Sequence, residues 1–245
     1  ELATQYFDKY NFLALPVVDM EERLVGIITV DDAMDVLQEE NTEDIQKMNA
    51  MTPTETTYFK TGVFETWKAR VPWLLFLMLS ATFTGIIISS FEDALSKLVV
   101  LTAFIPMLMG TGGNSGSQSS VTVIRALSLG EVDTSDIFKV IWKEFKVSII
   151  CGISLAVACF AKVIVIDGWM LKTSGIDINV ALVVSLTLCL TIICAKLIGC
   201  ILPIVAKKMK LDPAVMASPF ITTIIDAVCL IVYFVIAMAL IPALR

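Results

Sequence analysis

Histidine is absent from the 245 residues. Its absence removes the commonest general base and metal ligand, and leaves oxygen chemistry from carboxylates and carbonyls. No Cys-x-x-Cys pair occurs. The six cysteines (Cys151, Cys159, Cys189, Cys194, Cys200 and Cys229) all fall in apolar stretches and read as buried thiols, not as a zinc site or a disulfide framework. There is no Gly-x-Ser-x-Gly and no Gly-Lys-Ser/Thr ending to a glycine-rich run, so the chain encodes neither a hydrolase elbow nor a phosphate loop, and no enzyme is expected. Charged residues are scarce, at 17%, and the net charge of −6 gives no footprint for nucleic acid.

Apolar residues fill the space. They make up 57% of the chain, and the mean hydropathy is +0.83, beyond the makeup of soluble domains. The excess falls in blocks. Val71 to Ser90 is an uncharged run of 20 residues and Leu98 to Ile124 one of 27. Val147 to Ile166, Val180 to Ala206 and Pro213 to Leu244 each carry a single charge. Each block is long enough for a hydrocarbon core of roughly 30 Å, which predicts an all-α membrane domain of five transmembrane helices over residues 71–245.

Charge divides the chain at the same place. Residues 1–70 hold 14 acidic against 6 basic residues, net −8, whereas 71–245 hold 10 against 12, net +2. Lysine and arginine near the span ends set orientation. Ten (Lys60, Lys68, Arg70, Arg125, Lys139, Lys143, Lys146, Lys207, Lys208, Lys210) flank one side, and three (Lys97, Lys172, Arg245) the other. That split predicts a cell-membrane protein with a cytosolic N-terminal segment and an outer C-terminus. The chain opens on Glu1 inside what reads as a folded domain, so a preceding region is expected.

Within the acidic segment, Leu15 to Asp19, a turn at Met20 to Glu22, and Leu24 to Thr29 read as a hairpin. A helix capped by Thr29 or Asp31 is expected through Asp35 to Glu40, and a second from about Glu43 to Met51. A short helix around Val63 to Ala69 would then lead to the membrane. Asp31, Asp32, Asp35, Glu39, Glu40, Glu43 and Asp44 place seven carboxylates in 14 residues with no basic residue among them. Asp35, Glu39 and Glu43 would repel one another on an unbroken helix. One reading is a solvated acidic face. The other is a divalent-cation sensor, since hard cations such as Mg²⁺ select carboxylate oxygens.

Charges inside spans point to function by default. Asp226 has 13 uncharged residues before it and 18 after it, near the middle of the last block. It is either an ion-binding carboxylate or the partner of Lys196, at comparable depth in the fourth block. Lys162, near the end of the third block, is expected to snorkel to the interface. The second block carries Gly110, Thr111, Gly112, Gly113, Asn114, Ser115, Gly116, Ser117, Gln118, Ser119 and Ser120. Close helix packing accounts for the glycines, but Asn114 and Gln118 together favour a pore-lining or dimer-axis segment.

With these residues the chain resembles the MgtE family of magnesium channels over nearly its whole length. The likeness is carried by the Gly110 to Ser119 core within Pro106 to Ile124, Asp212-Pro213-Ala214, and Pro219 to Asp226. Leu15 to Asp19, Leu24 to Thr29 and Val30 to Leu37 are similar to the second half of a CBS domain, followed by Thr42 to Ile45 and a connecting plug helix. The resemblance implies a partial cytosolic CBS domain over 1–40, of α/β type, a plug region over 41–70 and the membrane pore domain over 71–245.

It also implies a homodimer in the lipid bilayer, a Mg²⁺-selective pore along its two-fold axis, and Asp226 holding a largely hydrated Mg²⁺. Gly112, Gly113, Asn114, Gly116, Gln118 and Thr222 become pore-lining candidates. Cytosolic Mg²⁺ bound between the CBS domain, plug helix and membrane domain would close the pore. Asp32 and Asp35 match its CBS ligands, Glu43 and Asp44 its plug-side pair, and Asp212 the acid at the inner membrane face. ATP is a ligand expected only of a complete CBS pair. A proton-coupled transporter of another divalent ion, such as Co²⁺, is the alternative.

Overall fold

The computed structural model describes residues 2–54, 56–216 and 218–242. Arg245, counted above on the outer side, and residues 243–244 of the last apolar block lie outside them. The chain separates into two compact units, Glu1–Arg70 and Val71–Arg245.

The first unit opens with a helix that the sequence reading missed, α1 (Leu2–Tyr10). Strands β1 (Ala14–Val18) and β2 (Leu24–Thr29) follow and pair antiparallel. Their loop is tied by Asp19, whose Oδ1 accepts from the Glu21 and Arg23 amides at 2.8 and 2.9 Å. Helix α2 then runs unbroken through Val30–Met48. This corrects the expectation of two helices. Thr29 is the N-cap, and Asp32 Oδ2 accepts from both its amide and its hydroxyl, at 2.9 and 2.5 Å. Thr42, at the expected break, satisfies its hydroxyl by donating to the Gln38 carbonyl at 2.8 Å, so it stays in the helix at little penalty.

Helix α3 (Val63–Ser90) crosses the boundary between the units and absorbs the separate short helix expected at Val63 to Ala69. It buries no residue. The second unit continues with α4 (Glu92–Lys97), a 3₁₀ turn over Val99–Phe104, α5 (Ile105–Ser128), α6 (Ile137–Lys162), α7 (Ile178–Lys208) and α8 (Ser218–Leu240). α6 loosens into π-helical turns over Val163–Met170. α7 is central, packed against α5, α6 and α8, and α5 also packs on α8. The main apolar core joins Leu101, Leu108, Val163, Val183, Ile192 and Leu230. Tyr233 is buried in it and donates its hydroxyl to the Leu101 carbonyl at 2.9 Å, which ties α8 to the turn before α5.

Four helical stretches among the described residues are long and apolar enough to cross a membrane: Val63–Ser90, Thr134–Met170, Ile178–Lys208 and Pro219–Leu240. The second of the five expected spans, α5, is not among them, because its glycine, serine and amide side chains dilute its hydropathy. Its length of 24 residues is sufficient.

Candidate functional site

Glycine decides how α5 fits. A Cβ on Gly199 of α7 would stand 2.3 Å from the Gly116 carbonyl oxygen, so the two backbones touch there. A Cβ on Gly112 would meet Thr191 Cγ2 at 2.6 Å, and one on Gly113 would meet Thr222 Cγ2 of α8 at 3.0 Å. Gly112, Gly113 and Gly116 are therefore buried between α5, α7 and α8, where they allow close approach. Among the six pore-lining candidates only Asn114 and Gln118 are exposed, and Thr222 is half-buried against Gly113.

The exposed residues of α5 fall on one side of the helix, the apolar Val121 and the terminal Ser128 among them. Pro106, Gly110, Asn114, Gln118, Thr122 and Arg125 recur at three- or four-residue spacing and make that face mostly small or polar, opposite the packed one. At membrane depth such a face calls for water or a polar partner, since lipid satisfies neither amide.

Asp226 follows one helical turn after Thr222 on α8 and is half-buried. Among the described residues its carboxylate makes no hydrogen bond or ion pair. The alternative of an ion pair with Lys196 is not what the structure shows. Lys196 Nζ donates to Ser119 Oγ of α5 at 3.4 Å, and Ser119 donates to Glu144 Oε2 of α6 at 2.6 Å. Sequence reasoning missed both Ser119 as a partner and Glu144 altogether. The available signal was a single acid among Lys139, Lys143 and Lys146 at the start of an apolar run.

Lys162 is half-buried, pairs with Asp167 Oδ2 at 2.7 Å, a partner the sequence reading did not foresee, and stands 5.5 Å from the Phe104 ring centroid. Asp167 belongs to the π-helical turns that end α6, which bring its carboxylate back onto the amine.

The remaining acids lie apart in the chain. Asp32, Asp35, Glu43 and Asp44 are on α2 in the first unit; Asp212 is in the second, where Oδ1 accepts from the Ala214 amide at 2.9 Å and caps the 3₁₀ turn Pro213–Met216. Thr29 holds the Asp32 carboxyl below the usual carboxylate range, first through its hydroxyl and then through its amide. Because α2 is continuous, Asp35, Glu39 and Glu43 line one face at one-turn spacing, with Glu43 paired to Lys47. No group of three or more His, Cys, Asp or Glu among the described residues is arranged to hold a metal ion.

Apolar spans of this length, one of them carrying the half-buried Asp226, preceded in the chain by a small α/β unit, define a multi-pass helical membrane protein. The particular family follows from comparison. A family model described as "Divalent cation transporter", MgtE, matches residues 105–236, and a CBS domain model matches residues 1–39. The chain belongs to the MgtE family. It is 38% identical over 234 residues to a Thermus thermophilus protein named Magnesium transporter MgtE, covering 96% of this chain and 50% of that one. It is 39% identical over 244 residues to the Bacillus subtilis protein of the same name, covering 100% and 52%. A third, from Enterococcus faecalis, is 32% identical over 238 residues, covering 97% and 50%. The chain thus spans about half the length of the curated relatives it matches.

Proposed function

We propose that this chain is the pore-forming part of a Mg²⁺-selective channel for magnesium uptake. The observation that carries the proposal is Asp226, a mid-span carboxylate with no cationic partner among the described residues. An ionised carboxylate at that depth is expensive unless water or a cation attends it. A hydrated Mg²⁺ supplies both, and selection by the size and charge of the hydrated ion needs no dehydration. The names of the three relatives support Mg²⁺ as the substrate.

In this reading α5 is also a span, the second of five, and its Asn114 and Gln118 face lines the water-filled path of a homodimer. The first unit is cytosolic and the C-terminus outer. The first 40 residues act as part of a CBS domain, 41–70 as the plug region and 71–245 as the pore domain. Cytosolic Mg²⁺ closes the pore by neutralising the acids of α2, with Asp32, Asp35, Glu43 and Asp44 as ligands and Asp212 contributing on the membrane side. Carboxylate oxygens are the donors that Mg²⁺ prefers, and the unbroken row on α2 supplies the repulsion that bound metal would relieve.

Uptake of Mg²⁺ by cells producing the full-length protein tests the pore assignment. Asp226→Asn should abolish uptake while the protein still reaches the membrane, and undiminished uptake would refute the assignment. The broader family description favours one second reading, a coupled transporter of other divalent ions such as Co²⁺. Co²⁺ flux that follows a pH gradient at fixed membrane potential would support it.

A further inference from the structure

Lys196 is 6% exposed and is the one buried charged side chain among the described residues. It reaches no carboxylate directly. Its ammonium donates to the Ser119 hydroxyl at 3.4 Å, and that hydroxyl, 2% exposed, donates onward to Glu144 Oε2 at 2.6 Å. A serine has one proton to give and lone pairs to receive. Here the proton goes to the anion and a lone pair meets the cation, so one neutral group links two opposite charges on three helices.

Lipid-embedded helices have little reason to keep such a link for stability alone, because apolar side chains of similar volume hold helices together as well or better. A directional contact does supply what the glycine-rich middle of α5 lacks. Leu108 near its start and Val123 and Leu127 near its end are buried in apolar clusters, but between them α5 meets its neighbours at Gly112, Gly113 and Gly116, where it has no side chain of its own to fix its rotation. Ser119, on the buried side of α5, makes directed bonds to α7 through Lys196 and to α6 through Glu144. It directly follows Gln118, which is on the open side.

We propose that Lys196 is a positioning residue. Acting through Ser119 and balanced by Glu144, it fixes the rotation of α5 and thereby the presentation of Asn114 and Gln118 on the open face. The balance by Glu144 also leaves the relay neutral, so Lys196 adds no net positive field against a passing cation. The consequence for flux rests on the reading of α5 as a pore helix, but the positioning itself does not.

The test introduces Gln118→Cys into the full-length protein in liposomes. The labelling rate of that peptide with a water-soluble thiol reagent is then measured by mass spectrometry, beside Mg²⁺ flux and melting temperature. Adding Lys196→Met should change the labelling rate by at least about three-fold, the size expected of neighbours in one hydrogen-bonded network. Lys196→Arg, which keeps charge and donor, should stay within about two-fold of the parent. If Lys196→Met does not fold, Ser119→Ala removes only the hydroxyl and should shift labelling in the same direction. A rate unchanged in both variants, whatever happens to melting temperature, would overturn the proposal and leave the relay a purely structural contact. Absence of Mg²⁺ flux in the parent would count against the proposed function, while the labelling comparison would still decide the positioning role.

Discussion

Gly199 on α7 lies against Gly116 on α5 so closely that a Cβ on Gly199 would stand 2.3 Å from the Gly116 carbonyl oxygen and 3.0 Å from its carbonyl carbon. The obstacle is backbone, which no side-chain rotation relieves. Gly199→Ala must therefore push α5 and α7 apart, and about 1–3 kcal/mol of stability should be lost, as for other overpacked contacts. A Cβ at Gly116 meets the flexible end of Ile225 at 2.1 Å but also the Ala195 carbonyl oxygen at 3.0 Å. Combining Gly116→Ala with Ile225→Val should recover part of its loss, whereas no single side-chain truncation should rescue Gly199→Ala. Thermal unfolding in detergent, compared across the variants, checks both statements.

The ion pair at the end of α6 gives a second prediction. Asp167 is 13% exposed on its side chain and Lys162 38%. This is partial burial, so the full energy of a buried pair is not expected. Lys162→Met should lower stability by about 1–2 kcal/mol, between the values for exposed and buried pairs. Lys162→Met with Asp167→Asn should lose less than Lys162→Met alone, because the orphaned carboxylate is gone. If the double variant is less stable than the single, the pair is not what holds this turn.

Asp32 makes the start of α2 sensitive to acid. Its carboxyl is held below its ordinary value of 3.8 by Thr29. A depressed carboxylate contributes stability that is fully present above the unfolded value and is lost as pH falls through the lower folded value. Exchange of the Thr29 amide hydrogen should therefore be slow above pH 3.8 and, after correction for the intrinsic pH dependence of exchange, become faster below it. Asp32→Asn should show the faster exchange at all pH values. Equal protection in parent and variant would remove the capping role.

The acidic face of α2 gives a fourth prediction. If Mg²⁺ gathers on these carboxylates, millimolar Mg²⁺ should protect Asp35 to Asp44 from hydrogen exchange. Asp35→Asn with Glu43→Gln should then raise the Mg²⁺ concentration needed by about ten-fold, as fewer ligand charges weaken binding. Protection equal in the parent and the double variant would leave α2 a solvated acidic face.

How much of this was legible in the sequence depends on the range of each interaction. The spans of α3, α6, α7 and α8 were readable because lipid burial demands an uninterrupted apolar run, a local property. The hairpin was readable from two β-branched runs about a polar turn. The continuity of α2 was not, because Asn41 and Thr42 suggest a break until Thr42 is seen bonded to Gln38. The glycines of α5 announced an unusual helix without telling its buried face from its open one. That distinction depends on Gly199 and Thr191 of α7 and Thr222 of α8, which are remote in the chain. Lys196 was noticed, and depth alone left Asp226 open as its partner beside the ion-binding reading. Its link through Ser119 to Glu144 depends on how three helices are rotated, which no spacing encodes.

The most direct test of the central claim is Mg²⁺ flux into liposomes that contain the full-length protein, with Asp226→Asn run beside the parent and Mg²⁺ varied on the face bearing the acidic segment. The account predicts flux in the parent that falls as Mg²⁺ on that face enters the millimolar range, and none in the variant although it folds. Equal flux in parent and variant would contradict the account and make Asp226 a structural residue.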